Sequence, residues 1–177
     1  MNLDDNVNVS VRLSWRPLGD VKINDEGSLI FPSMHSLLNK GGIYRITGRR
    51  PIDSKGTHDR PARWWFYIGQ TGNIQARMYK YRNPGPDQKT NIRINNALRF
   101  ELERGTEVYL HVSFDMELRV GRQWMDLDTD STTQRTLAET AALYQAYRTA
   151  DPLDVDMLNK GLDDSVDREF KDAPWPY

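Results

Sequence analysis

Residues 64–81 read WWFYIGQTGNIQARMYKY, and how that stretch is parsed decides the fold. Trp64 to Ile68 has the aromatic and β-branched content of a strand. Gly69 turns the chain, Thr71-Gly72-Asn73 punctuates it, and Asn73 is placed to cap the N-terminus of a helix. In that helix Arg77 and Tyr81 stand four residues apart and share a face. Upstream, Gly42-Ile43-Tyr44 opens a second strand-like run to Thr47, where alternation puts Tyr44 and Ile46 on one face and Ile43 and Arg45 on the other.

Two tripeptides in this order, Gly42-Ile43-Tyr44 and Tyr67-Ile68-Gly69, are followed by Thr71, Asn73, Ile74 and Arg77. Together they resemble the GIY-YIG nuclease superfamily, over about residues 40–160. The compact chain is similar in plan to the restriction endonucleases of that superfamily. The resemblance implies an α+β fold: a small antiparallel three-stranded central sheet flanked by helices, here with extra N-terminal strands. The organisation expected is a single domain over 1–177, with an N-terminal extension (1–40), a nuclease core (41–160) and an acidic tail (161–177).

Elsewhere the chain supplies pieces for that plan. VNVSVRLS at 7–14 alternates apolar and polar residues, and 21–23 and 28–31 offer two more short strands around Asn24-Asp25-Glu26-Gly27. Pro32 and Ser33 start a helical turn. Ile92, Ile94, Leu98 and Leu102 give a helical stripe over 91–104 that Gly105 stops, and Val108 to Phe114 reads as a third strand. Asp126, Asp128 and Asp130 suggest a calcium loop, but Ser131 stands where glycine is needed and Leu137 where a bidentate glutamate is required. Ser131 with Gln134 reads instead as a capping box opening a helix that runs to before Asp151-Pro152. Glu139 lies among apolar neighbours on that helix, where a carboxylate needs a partner, and a metal ion is one.

Composition bounds the function. There are no cysteines, which excludes disulfides, thiolate zinc sites and cysteine nucleophiles. The N-terminus has no signal-peptide pattern and no run is long enough to span a bilayer, so no membrane association and a cytoplasmic location are expected. The net charge of −1 conceals an asymmetry: residues 42–104 carry 13 Lys/Arg against 5 Asp/Glu, and the remainder 11 against 20. Basic charge stacked around the motif suits a polyanion, or is solvated and paired with acids elsewhere in the fold. The candidate contacts to double-stranded DNA are Arg49, Arg50, Lys55, Arg60 and Arg63 in the 48–63 loop, with Lys80, Arg82 and Arg93 beyond it. His58 in that loop is a weaker candidate for a general base.

The resemblance carries roles to individual residues. Tyr44 would act as general base or orient the attacking water, and Tyr67 would line the same pocket. Arg77 would bind the scissile phosphate with its planar fork of donors. Glu139 would supply the one protein carboxylate to Mg2+ (or Mn2+), and Tyr81 and Asn159 match further family positions. Some relatives carry lysine after YIG where this chain has Gln70, which leaves open what lowers the pKa of a phenol that ordinarily titrates near 10. The activity implied is metal-dependent DNA cleavage of a type II restriction or defence kind, with a homodimer as one way to cut both strands. The alternatives are a repair, recombination or mobile-element nuclease, or a catalytically silent nucleic-acid-binding module.

Overall fold

The computed structural model describes residues 9–51, 63–150 and 155–159. Nine strands and three helices follow in the order β1 (Val9–Leu13), β2 (Arg16–Ile23), β3 (Leu29–Ile30), β4 (Gly42–Arg49), β5 (Trp64–Thr71), α1 (Ile74–Arg82), α2 (Lys89–Glu103), β6 (Glu107–Ser113), β7 (Met116–Val120), β8 (Gln123–Asp126), α3 (Thr132–Thr149) and β9 (Val155–Met157). A single 3-10 turn, His35–Leu37, precedes β4.

The fold class is α+β. At the centre β4 pairs antiparallel with both β5 and β6, which is the three-stranded sheet expected. The sheet is larger than that expectation, with order β3-β2-β6-β4-β5-β9. The strands at 16–23 and 29–30 do not form a separate sheet. β2 pairs with β6, setting Val21 against Val108, and β3 extends that edge. Burial is the reason, since Val21 and Leu29 pack into the main core only when β2 lies beside β6. A second sheet, β1-β7-β8, includes the strand read over 7–14.

The two faces of the central sheet bury different cores. On one face Tyr44 and Ile46 of β4 meet Ile74, Met78 and Tyr81 of α1 and Ile94 and Leu98 of α2. On the other, Ile43 and Ile68 meet Ala138 and Ala142 of α3 and Met116 of β7. The alternation read along β4 therefore holds. Asn95 joins the helices of the first face, its amide donating to the Tyr81 carbonyl at 2.8 Å and the Arg82 carbonyl at 3.3 Å, where α1 has run out of amides.

The edge strand β9 lies parallel to β5 and is tied down at three points. Arg50 reaches Asp156 at 2.6 Å, Arg93 donates to the Leu158 carbonyl at 3.1 Å, and the Asn159 amide both accepts from Ile68 N–H (2.8 Å) and donates to its carbonyl (2.6 Å). None of these pairings has a local sequence signal.

Candidate active site

The turn between β5 and α1 is built by short-range hydrogen bonds. The Asn73 side chain accepts from Ala76 N–H at 2.8 Å, capping α1, and Thr71 Oγ1 exchanges bonds of 3.2 Å with the Asn73 main chain. This accounts physically for the Thr-x-Asn spacing. The cap is also anchored from outside, since Ile74 N–H donates to the Lys40 carbonyl at 3.0 Å.

Both motif glycines answer to close approach. A Cβ on Gly42 would lie 2.6 Å from the Ser113 carbonyl oxygen across the sheet. A Cβ on Gly69 would lie 2.3 Å from the Tyr44 hydroxyl, so the glycine of the second tripeptide makes room for the tyrosine of the first.

Three phenols meet on this face. Tyr44, Tyr67 and Tyr81 have ring centroids 6.1–6.3 Å apart in tilted and edge-on pairs. Tyr81 donates to the Tyr67 hydroxyl at 3.3 Å and shares a 2.6 Å bond with Tyr44. A phenol has one proton, so with Tyr81 donating to Tyr67 it must accept from Tyr44. The chain of donors runs Tyr44 to Tyr81 to Tyr67, and the terminal proton is on Tyr67, the half-buried member.

This order bears on the role expected of Tyr44. Its side chain is 1% exposed and that of Tyr81 0%. Burial, then repulsion from Tyr81 and Tyr67, pushes the Tyr44 phenol well above its ordinary pKa, and the Arg77 charge opposes this only in part. Burial likewise raises the Tyr81 phenol. Tyr44 is a buried donor to the cluster, and of the three residues Tyr67 is the least buried.

Arg77 links this cluster to the other face. Its guanidinium carbon stands 6.0 Å from the Tyr81 ring centroid, and its charge acts on Tyr44, Tyr81 and Glu139. Glu139 reaches this edge from α3 and takes a hydrogen bond from the Gln70 main chain. Burial raises its carboxyl above the ordinary range, while the Gln70 bond and Arg77 pull the other way. Among the described residues Glu139 forms no ion pair, and no three His, Asp or Glu side chains gather to hold a metal ion. A half-buried lone carboxylate of this kind fits a hydrated Mg2+ that takes its other ligands from water and phosphate.

The raised Glu139 pKa has a consequence for stability. The folded state holds this proton more tightly than the unfolded chain, so the group's contribution is greatest at pH below the unfolded value and declines as pH rises through the folded one. Thermal unfolding of the metal-free protein and of Glu139→Gln should therefore diverge as pH rises above the ordinary glutamate range, the variant gaining relative to the parent. Parallel melting curves across that rise would contradict this burial.

Arg135 was not among the residues expected at the site. Only 6% exposed, it donates to Gln70 Oε1 at 3.0 Å, the Thr129 carbonyl at 2.5 Å and Thr132 Oγ1 at 3.0 Å. It thus pins the start of α3 to the strand bearing Tyr67, four residues before Glu139. Its only signal was an arginine three residues before Ala138 and seven before Ala142, on the inward stripe of α3. The capping box is half formed. Ser131 accepts from Gln134 N–H, but the Gln134 side chain accepts from Asp128 N–H instead of returning to Ser131.

Several expected contacts are corrected. Asn159 is not among the site side chains, because its amide is taken up by the Ile68 main chain. Arg50 is no DNA contact but an interior ion-pair residue, bonded to Glu101 and Asp156. Arg93 is half-buried against the Leu158 carbonyl, and Arg63 is half-buried beside Arg50, whose N–H its carbonyl accepts. Arg49 lies 3.6 Å from Glu107 and over the Trp64 ring. Lys80 and Arg82 are exposed on the last turn of α1. Lys55, His58, Arg60 and the 161–177 tail lie outside the described residues.

No protein-family model matches the chain, and no curated protein matches it. A solved structure of a mutant of bacteriophage T4 EndoII is similar, with a TM-score of 0.41 and 16% identity over 78% of this chain and 90% of that one. So slight a likeness carries neither fold nor function, which rest on the residues above. No helix among the described residues is long and apolar enough to cross a membrane.

Proposed function

We propose that this chain is a divalent-metal-dependent endonuclease that hydrolyses phosphodiester bonds in double-stranded DNA, of a type II restriction or related defence kind. The observation that carries the reading is that the Arg77 guanidinium, 6.0 Å from the Tyr81 ring centroid, lowers the proton affinity of both the buried phenols and the Glu139 carboxyl. Hydrolysis needs a water held in line, a cation for the charge building on phosphorus, and an anchor for the phosphate. Arg77 anchors the phosphate through its fork of donors. Glu139 would hold Mg2+ or Mn2+, which would supply positive charge to the phosphate oxygens. Tyr67 orients the water, because its hydroxyl ends the donor chain that begins at Tyr44.

Supercoiled plasmid incubated with Mg2+, with and without a chelator, tests the reading. Metal-dependent linear fragments of discrete size support it. Intact plasmid with both Mg2+ and Mn2+ would leave the second reading, a silent nucleic-acid-binding module, which the burial of Tyr44 favours. The two phenols give a sharper contrast. Tyr67→Phe is expected to slow cleavage about 10²-fold, and Tyr44→Phe, which removes a buried donor, less than about 10-fold at a stability cost near 1 kcal/mol. The reverse order in a single-turnover assay would return the water to Tyr44.

A further inference from the structure

The sheet β1-β7-β8 stands apart from the tyrosine site, and its two faces differ. Val11, Leu13 and Met116 turn inward onto the second core. The register then puts Ser10, Arg12, Glu117, Arg119, Trp124 and Asp126 together on the outward face. There Trp124, 38% exposed, lies under two guanidiniums, Arg12 at 4.3 Å and Arg119 at 5.2 Å from the ring centroid.

The tip carries unneutralised charge. Gly121 (φ 64°) and Arg122 form the two-residue turn between β7 and β8, which leaves Arg122 and Gln123 projecting and exposed. Arg12 is paired with Glu117 at 2.6 Å, but Arg119 and Arg122 have no ion-pair partner among the described residues. From Arg119 to Trp124 the ribbon therefore offers two cations, an amide and an indole, with no acid until Asp126.

The ribbon is rooted beside the site. Leu127, buried at its base, donates its N–H to the Met116 carbonyl at 2.9 Å. The Thr129 carbonyl that follows is held by Arg135 and lies 2.5 Å from where a Cβ on Gly41 would stand, at the mouth of β4. The same few residues then open α3, which bears Glu139.

We infer that the β7–β8 ribbon, through Arg119, Arg122 and Trp124, is a docking surface for B-form duplex DNA, seated in the major groove next to the bond to be cut. The groove of B-DNA admits a β-ribbon, whereas the major groove of an A-form RNA duplex is too narrow. Arg119 and Arg122 meet phosphates at the groove walls, and Trp124 faces base edges. The inference deepens the proposed nuclease reading and rests on it for the choice of DNA.

Fluorescence anisotropy with a labelled duplex in the presence of chelator separates binding from cleavage. Arg119→Ala/Arg122→Ala should weaken binding about 10- to 100-fold and flatten the slope of log affinity against log salt by roughly 2. The corresponding double lysine variant should restore the slope, and Trp124→Ala should weaken binding with the slope kept. Arg122→Ala alone, at an exposed turn, guards against misfolding and should flatten the slope by about 1. Unchanged slopes in these arginine variants overturn the inference, and so does an equal loss on single-stranded DNA or duplex RNA. If the wild type cleaves DNA while the ribbon variants bind normally, the ribbon inference falls and the nuclease reading stands. If the wild type binds DNA through the ribbon and never cleaves, the reverse holds.

Discussion

Arg77→Ala is expected to lower the rate of DNA cleavage by roughly 10²- to 10³-fold while leaving the protein folded. Three neighbours on α1, Ile74, Met78 and Tyr81, are at most 0% exposed and carry the packing of that helix. Arg77 itself is half-buried at the surface of the site, so its truncation removes charge without opening the core. Because the guanidinium would grip the phosphate most strongly as charge develops, the loss should fall on kcat more than on KM. Arg77→Lys retains a point charge but not the planar fork, and should recover only part of the rate. Tyr81 should respond as well. Its phenol is held up by burial and lowered in part by Arg77, so removal of that charge shifts it further from the range in which it could ionise. Single-turnover cleavage with saturating enzyme reads this out, and full activity in Arg77→Ala would remove the site assignment.

The largest effect on stability is expected at Glu101. Its side chain is 9% exposed and that of Arg50 13%, with contacts of 2.7–3.1 Å from Nε and Nη2 of the guanidinium to both carboxylate oxygens. Thr106 adds a hydroxyl donor at 2.7 Å, and Asp156 takes the remaining edge of Arg50 at 2.6 Å. The network joins the end of β4, the end of α2 and the strap β9. Glu101→Ala removes the buried acid that faces the Arg50 guanidinium, and should cost about 3 kcal/mol, or roughly 10 °C in melting temperature. Arg50→Met combined with Glu101→Met should cost less than the sum of the single changes, since neither charge is then left alone. Chemical denaturation of the four proteins closes the cycle. Additive losses would mean the pair is solvated and the three elements are held by packing alone.

Arg50 also shows why the basic loop misleads when read as sequence. Its charge looked like that of Arg49 next to it, yet alternation along β4 sends one toward solvent over Trp64 and the other into Glu101. A count of charges cannot separate them, because what an arginine binds depends on which acid the fold brings up. Arg93 and Asn159 show the same dependence on the fold, since Arg93 is bonded to the Leu158 carbonyl and Asn159 to the Ile68 main chain, pairings with no local pattern. The β7–β8 ribbon is a different case. Met116, Leu118 and Val120 alternate with Glu117 and Arg119 and end at Gly121, so a strand signal was present and went unused.

What the sequence by itself determined is the strand, turn and capped helix of residues 64–82, the neighbouring strand carrying Tyr44, and the set of side chains that gather around Arg77. Those features rest on interactions within a few residues, such as the Asn73 cap on Ala76, or on a repeat of two or 3.6. Only the tertiary structure decided that β2 widens the central sheet, that Arg135 locks α3 to Gln70, and that Tyr44 is sealed beneath Tyr81 with Tyr67 the least buried of the three. Burial sets a phenol's proton affinity and an arginine's partner, and burial is the joint property of residues as far apart as Ile68 and Asn159, 91 positions along the chain.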